Sequence, residues 1–151
     1  YTVNVESDAT YTAKWSANDD TAYVVNYYLQ TLNGNYILNQ AQSLTGVTDT
    51  TATAEIKTYQ HFTYNASKST ISGNINGNDS LVLDVYYTRD KYTIDVESDT
   101  SLGGTISGAG LYFYDTELTL TATTNAGYTF LGWYNGNTKI TSTKYVSLKI
   151  V

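Results

Sequence analysis

The sequence holds one histidine, His61, the only side-chain type that titrates near neutrality without help, so acid or base catalysis would have to centre on it or on a tuned carboxylate. His61 stands beside Phe62 at an expected strand start, where a partly exposed polar strand end is the economical reading. Glu97, Asp99, Asp115 and Glu117 share one stretch of chain and could in principle flank a glycosidic bond as acid and base. Surface solvation accounts for them more simply. Two clusters gather oxygen donors of the kind calcium takes, Asn18-Asp19-Asp20 and Asn74, Asn76, Asn78 with Asp79. The second lacks the closing bidentate glutamate of an EF-hand loop, and turn formation explains Asn and Gly there, so no metal is expected. Asn65-Ala-Ser67 and Asn78-Asp-Ser80 fit the glycosylation acceptor pattern and carry no functional weight. Seven lysines and 13 asparagines supply ingredients for an internal Lys to Asn or Asp amide, but no motif pins the required trio.

Tyrosine offers the richer chemistry. There are 16, and an aromatic face with a phenol handle suits stacking on sugars. Alternation places Tyr27, Tyr87, Tyr92 and Tyr128 on apolar faces, where they fill thin cores. Tyr28, Tyr86 and Tyr114 fall on the opposite faces and are the candidate ligand-binding residues.

The elements that position them are strands. Charged residues make up 15% of the 151, and uncharged polar Thr, Ser and Asn take their place, a mixture that with tyrosine favours pleated surfaces over helical bundles. No cysteine means no disulfide scaffold, thiolate metal site or cysteine nucleophile. No methionine is present, not even an initiator, and no apolar run approaches the roughly 18 residues of a membrane span, so the chain reads as a piece of something longer. A net charge of −6 supplies no counterion release on phosphate backbones, which excludes nucleic acid as an expected partner. No cofactor is expected.

Tyr23, Val25, Tyr27 and Leu29 alternate, Asn33-Gly34 reverses the chain, and Tyr36 to Leu44 returns as a hairpin partner. Ala52, Ile56 and Tyr59 sit at helical spacing behind an Asp or Thr cap, predicting one short helix within 49–59. Strands follow at 61–64 and 69–75, then Leu81, Leu83, Val85 and Tyr87 alternate against Val82, Asp84 and Tyr86. The last stretch reads as five or six short strands, with Leu118, Leu120 and Ala122 inward and Val146, Leu148 and Ile150 alternating at the end. The expected fold class is mainly β: an α+β module with one short helix, followed by a small all-β module. Boundaries near Asn18-Asp19-Asp20-Thr21 and Thr88-Arg89-Asp90-Lys91 divide the chain into 1–22, 23–91 and 92–151. Without proline or a long connection, the modules are expected to abut.

The segment from Tyr1 to Asp8 returns as Tyr92 to Asp99 with six of eight positions identical, so strand material is duplicated. Tyr27-Tyr28-Leu29-Gln30, Asn33-Gly34, Gly46, Ala54, Phe62 and the run from Ser69 to Tyr87 resemble the mucin-binding-protein (MucBP) and internalin-type B-repeat modules of bacterial cell-surface proteins. Gly103-Gly104-Thr105, Leu118 to Ala122 and above all Ala126-Gly-Tyr-Thr-Phe-Leu-Gly-Trp-Tyr134 resemble the divergent internalin B-repeat family. The first likeness implies a β-grasp sheet wrapped on a short helix. Neither brings catalytic residues, and Phe130 and Trp133 are implied to be core and turn positions. The expected function is a non-catalytic repeat segment of a Gram-positive surface protein, extracellular and wall-attached or secreted, serving as stalk and adhesive surface. The alternative is a glycan-binding module, or an accessory module of a carbohydrate-active enzyme. Thr10 to Trp15 looks like the closing strand of an internalin-type repeat, so 1–22 is expected to hold tail strands of a preceding repeat, in an array repeating at the offset from Tyr1 to Tyr145 rather than to Tyr92. Expected partners are neighbouring repeats, host or environmental glycans or proteins, and a second copy joined head to tail through residues 1–15.

Overall fold

The computed structural model describes residues 1–151 and contains 13 strands and no helix. A four-stranded sheet is built from β1 (Thr21–Gln30), β2 (Tyr36–Gly46), β4 (Phe62–Tyr64) and β6 (Val82–Arg89), in the order β2-β1-β6-β4. The central pair, β1 with β6, is parallel, and both flanking pairs are antiparallel. Period-two alternation sends Val25, Tyr27, Leu83, Val85 and Tyr87 to one face, where all five are fully buried. The hairpin turns at Asn33-Gly34 as expected, with Gly34 at φ 88°, and β2 carries a bulge opposite Tyr27 and Tyr28.

The expected helix within 49–59 is absent, and with it the helix-wrapped β-grasp form. In its place β3 (Thr51–Thr53) pairs with β5 (Ser72–Asn74), and an extended run continues to a bridge between Tyr59 and Phe62. The reason lies in the burial period: Ala52 and Ala54 are buried two residues apart while Ile56 is 49% exposed, so the apolar face follows strand spacing. Thr50, Thr51 and Thr53 also favour extended backbone. Buried tyrosines satisfy this run: the Tyr27 hydroxyl donates to the Glu55 carbonyl (3.2 Å), and the Tyr87 hydroxyl accepts from the Lys57 N–H (2.8 Å). Burial raises the pKa of both phenols, so they remain protonated hydrogen-bonding groups at neutral pH.

From Lys91 onward three small sheets surround a second core. β8 (Gly104–Ser107), β10 (Glu117–Thr124) and β13 (Tyr145–Lys149) form the order β13-β10-β8. β7 (Lys91–Ile94) pairs with β9 (Gly110–Phe113), and β11 (Trp133–Asn135) with β12 (Thr138–Thr141) through the Asn135-Gly136 turn. β11 begins only at Trp133, because Gly127 and Gly132 take φ of 83° and 146° and break any extended run before it. A Cβ on Gly132 would also collide with the Thr141 carbonyl oxygen. Leu118, Leu120, Ala122, Trp133 and Ile150 make the buried cluster. Residues 1–20 form no strand, all their side chains are exposed, and β1 begins at Thr21, ahead of the expected boundary at 22/23. The tail strands expected there find no pairing partner within the chain.

Three substitutions test this packing. Tyr87→Phe strands the Lys57 N–H and should cost about 1–2 kcal/mol in chemical denaturation, whereas Tyr86→Phe on the outer face should stay within about 0.5 kcal/mol. Trp133→Ala empties the centre of a core with few other buried residues; it should cost about 3–5 kcal/mol and remove the melting transition of residues 92–151.

Candidate functional site

Three places gather functional groups. The first is the outer face of the four-stranded sheet, where parallel register sets Tyr28 beside Tyr86. Their rings stack at 4.7 Å and 12°, Tyr36 meets Tyr86 edge-on at 5.2 Å, and the Lys68 ammonium lies over Tyr86 (4.9 Å) and Tyr36 (5.2 Å). Asn26 donates to Asp84 on the same face (3.0 Å). The Tyr86 phenol is pushed upward by burial first, then by the Asp84 carboxylate and by Tyr28. Asn65 is consumed nearby: its amide donates to Thr88 and Tyr36 and its oxygen accepts from Ser67 and the Lys68 N–H. Tyr36 and Lys68 are the members of this cluster that sequence reasoning missed, since β2 changes face at its bulge and Lys68 lies outside any strand.

Tyr114, the third sequence candidate, lies elsewhere. It stacks face to face on His61 at 4.0 Å and 8°, and His61 Nδ1 hydrogen-bonds the Tyr92 hydroxyl at 2.8 Å. Between them runs Asp90, the single residue separating β6 from β7. Its N–H donates to the His61 carbonyl (3.0 Å), its carbonyl accepts from Tyr114 N–H (2.9 Å), and its carboxylate accepts from the Thr63 hydroxyl (2.7 Å). Arg89 completes the joint: its guanidinium lies over Phe62 (4.8 Å) and donates to the carbonyls of Gln30 (3.0 Å) and Tyr114 (3.2 Å). His61 is therefore a joint residue with φ 63° in a tight turn, its ring committed to Tyr114. No sequence signal marks Arg89 or this pairing beyond the one-residue connection itself.

The third place is an open cleft of about 1030 Å³ within residues 93–148. Ile94, Val96, Ile106, Leu120, Val146 and Leu148 contribute its apolar lining, and Asp95, Glu97 and Asp99 are its charged residues. Trp133 also lines it, and its buried indole N–H has no hydrogen-bond acceptor, as does the buried Thr124 hydroxyl lack a partner.

The remaining candidates disperse. Asp115 pairs with Lys149 at 2.8 Å, both side chains about half exposed. The hydrogen bond and charge of Lys149 hold the Asp115 carboxyl below the usual carboxylate range, and Asp115 raises the Lys149 amine in return. This is an ion pair, the opposite of the neutral amine and protonated acid from which an amide bond would form. Asp79 accepts from the Ala22 N–H at the start of β1, and Asn78 from the Ser80 hydroxyl within the local turn, so the oxygens of that cluster are engaged within the fold. No three His, Cys, Asp or Glu side chains gather as a metal site.

With this geometry in view, the comparisons with known proteins are narrow. Residues 92–150 match the family model of the divergent InlB B-repeat domain. That stretch, about two-fifths of the chain, holds the Gly-Trp turn, the second core and the cleft. No curated protein and no solved structure matches the chain.

The ion pair gives a pH prediction. Because the Asp115 carboxyl is held low when folded, its contribution is complete above the usual carboxylate range and is lost as pH falls through the lowered value. The melting-temperature difference between wild type and Asp115→Asn should be constant from neutral to mildly acid pH and shrink only at strongly acid pH; a difference growing on acidification contradicts the pairing.

Proposed function

We propose that this chain is a non-catalytic segment of a bacterial cell-surface protein, extracellular and wall-attached or secreted, in which 23–91 and 92–151 are successive repeat modules held as a stiff spacer. Residues 1–22 are the tail of a preceding repeat in this reading, and 23–91 is the MucBP or B-repeat relative its sequence resembles. The match of residues 92–150 to a B-repeat family supports the repeat character. The observation that carries the spacer reading is the joint. One residue connects β6 to β7, its N–H, carbonyl and carboxylate are all bonded, and two ring contacts and Arg89 span the same connection. Such a joint removes the freedom that a flexible linker would give. His61 and the dispersed carboxylates support no catalytic reading: one ring is committed to stacking and Asp115 to an ion pair.

A second reading, glycan adhesion, is favoured by one observation: an aromatic cluster of Tyr28, Tyr36 and Tyr86 shares an open sheet face with the amide of Asn26 and the carboxylate of Asp84. Aromatic surface beside planar polar groups is the composition that sugars use.

Solution scattering tests the spacer. The full chain should fit one elongated rigid particle, and Tyr114→Ala should broaden it into a hinged ensemble without lowering the melting temperature of either core by more than a few degrees; freely jointed wild-type modules overturn the reading. A glycan array separates the adhesive reading: binding abolished by the double substitution Tyr28→Ala, Tyr86→Ala supports it, and an array without hits removes it.

A further inference from the structure

On the outer face of the four-stranded sheet the Lys68 ammonium sits in a corner made of two tyrosine rings. Tyr36 and Tyr86 stand at 88° to each other with centroids 5.2 Å apart, and the ammonium lies 5.2 Å from the first centroid and 4.9 Å from the second. Both distances fall within the roughly 6 Å over which a ring face attracts a cation. The rings alone hold it: the Lys68 ammonium donates no hydrogen bond and pairs with no carboxylate of the protein, and the residue is exposed in the turn after β4. The corner itself is fixed by other groups. Tyr28 stacks on Tyr86 at 4.7 Å, and the Tyr36 hydroxyl bonds the Thr88 hydroxyl (3.0 Å) and accepts from the Asn65 amide (3.3 Å). Asp84, two residues before Tyr86 on the same strand face, adds a carboxylate, and the chain's net charge of −6 draws cations in general.

We infer that the Tyr36 and Tyr86 corner is a binding site for a quaternary ammonium group of the kind choline carries, and that Lys68 is a tethered occupant which the ligand displaces. The chemistry of the walls selects this class. A primary ammonium gives up hydrogen bonds to water when it settles on ring faces, whereas a quaternary ammonium has no N–H to leave unpaired and presents its charge through methyl groups that pack on the rings. Lys68 competes as an intramolecular ligand, at the effective concentration its short side chain sets, so the open form of the corner is only part of the population. The site is independent of the spacer reading and of sugar stacking: it uses the ring faces beneath Lys68 and a positive charge that a neutral sugar lacks.

Titration of the full chain with choline chloride, followed by saturation transfer to the trimethyl protons and by backbone amide shifts, is the test. The expected result is weak binding with shifts at Tyr36, Lys68 and Tyr86, tightened about threefold to tenfold in Lys68→Ala, which empties the corner. Tyr86→Phe keeps the ring and should keep binding; Tyr86→Leu and, separately, Tyr36→Leu should abolish it in proteins that retain the wild-type melting transitions. Neohexyl alcohol, the neutral carbon isostere of choline, should not bind. Free choline and a choline headgroup share this chemistry: cosedimentation of Lys68→Ala with phosphatidylcholine vesicles supports the site with a lipid source, and choline binding without cosedimentation supports it with a soluble or polymer-borne one. No choline binding by either wild type or Lys68→Ala overturns the inference. Equal affinity in those two proteins, binding that survives both leucine substitutions, or equal binding of the neutral isostere overturns it as well.

Discussion

The parallel pairing of β1 with β6 is the constraint on which the rest of the structure depends. It stacks Val25 and Tyr27 beside Leu83, Val85 and Tyr87, the five side chains that are fully buried, and so creates the first core. Parallel neighbours cannot be joined by a tight turn, and everything between residues 30 and 82 is in effect the crossover that links them. That crossover contributes β2 and β4 to the sheet edges and lays the run 51–59 across the buried face. A helix would usually fill this position. Here two phenol groups do its polar work, capping the backbone of an extended segment that has no sheet partner beyond β3.

The same pairing creates the outer face. Because side chains in register on parallel strands lie side by side, Tyr28 and Tyr86 are brought into contact by the event that buries Tyr27 and Tyr87. The second core has no comparable centre. Its members retain 5 to 8% exposure, three short sheets meet around it, and the cleft opens between them. One half of the molecule has its core closed by its own crossover, and the other leaves its core open to a cleft.

Much of this was legible in the sequence because it rests on period two. The alternations through Tyr23 to Leu29, Leu81 to Tyr87 and Leu118 to Ala122 gave the inward faces correctly, and the Asn-Gly pair at 33–34 marked a true turn. The helix was misread because Ala52, Ile56 and Tyr59 match helical spacing equally well, and only the burial of Ala54 decides between the two periods. The joint was illegible for another reason: His61 and Tyr114 are far apart along the chain, and nothing local to either announces a ring stack. The aromatic cluster was half legible, since alternation exposed Tyr28 and Tyr86 while Tyr36 and Lys68 joined through a bulge and a loop.

The topology also has a mechanical meaning. A pull applied along the polypeptide enters this sheet at Thr21, where β1 begins, and leaves at Arg89, where β6 ends. In a parallel pair those points lie at opposite ends of adjacent strands, so tension acts along the strands. The hydrogen bonds that register Val24 to Leu29 against Val82 to Tyr87 would then have to fail together, in shear, instead of unzipping one at a time. An antiparallel arrangement of the same two strands would place both grips at one end and peel apart. The order β2-β1-β6-β4 thus loads this sheet in shear along this axis, with resistance set by an unfolding rate rather than by equilibrium stability.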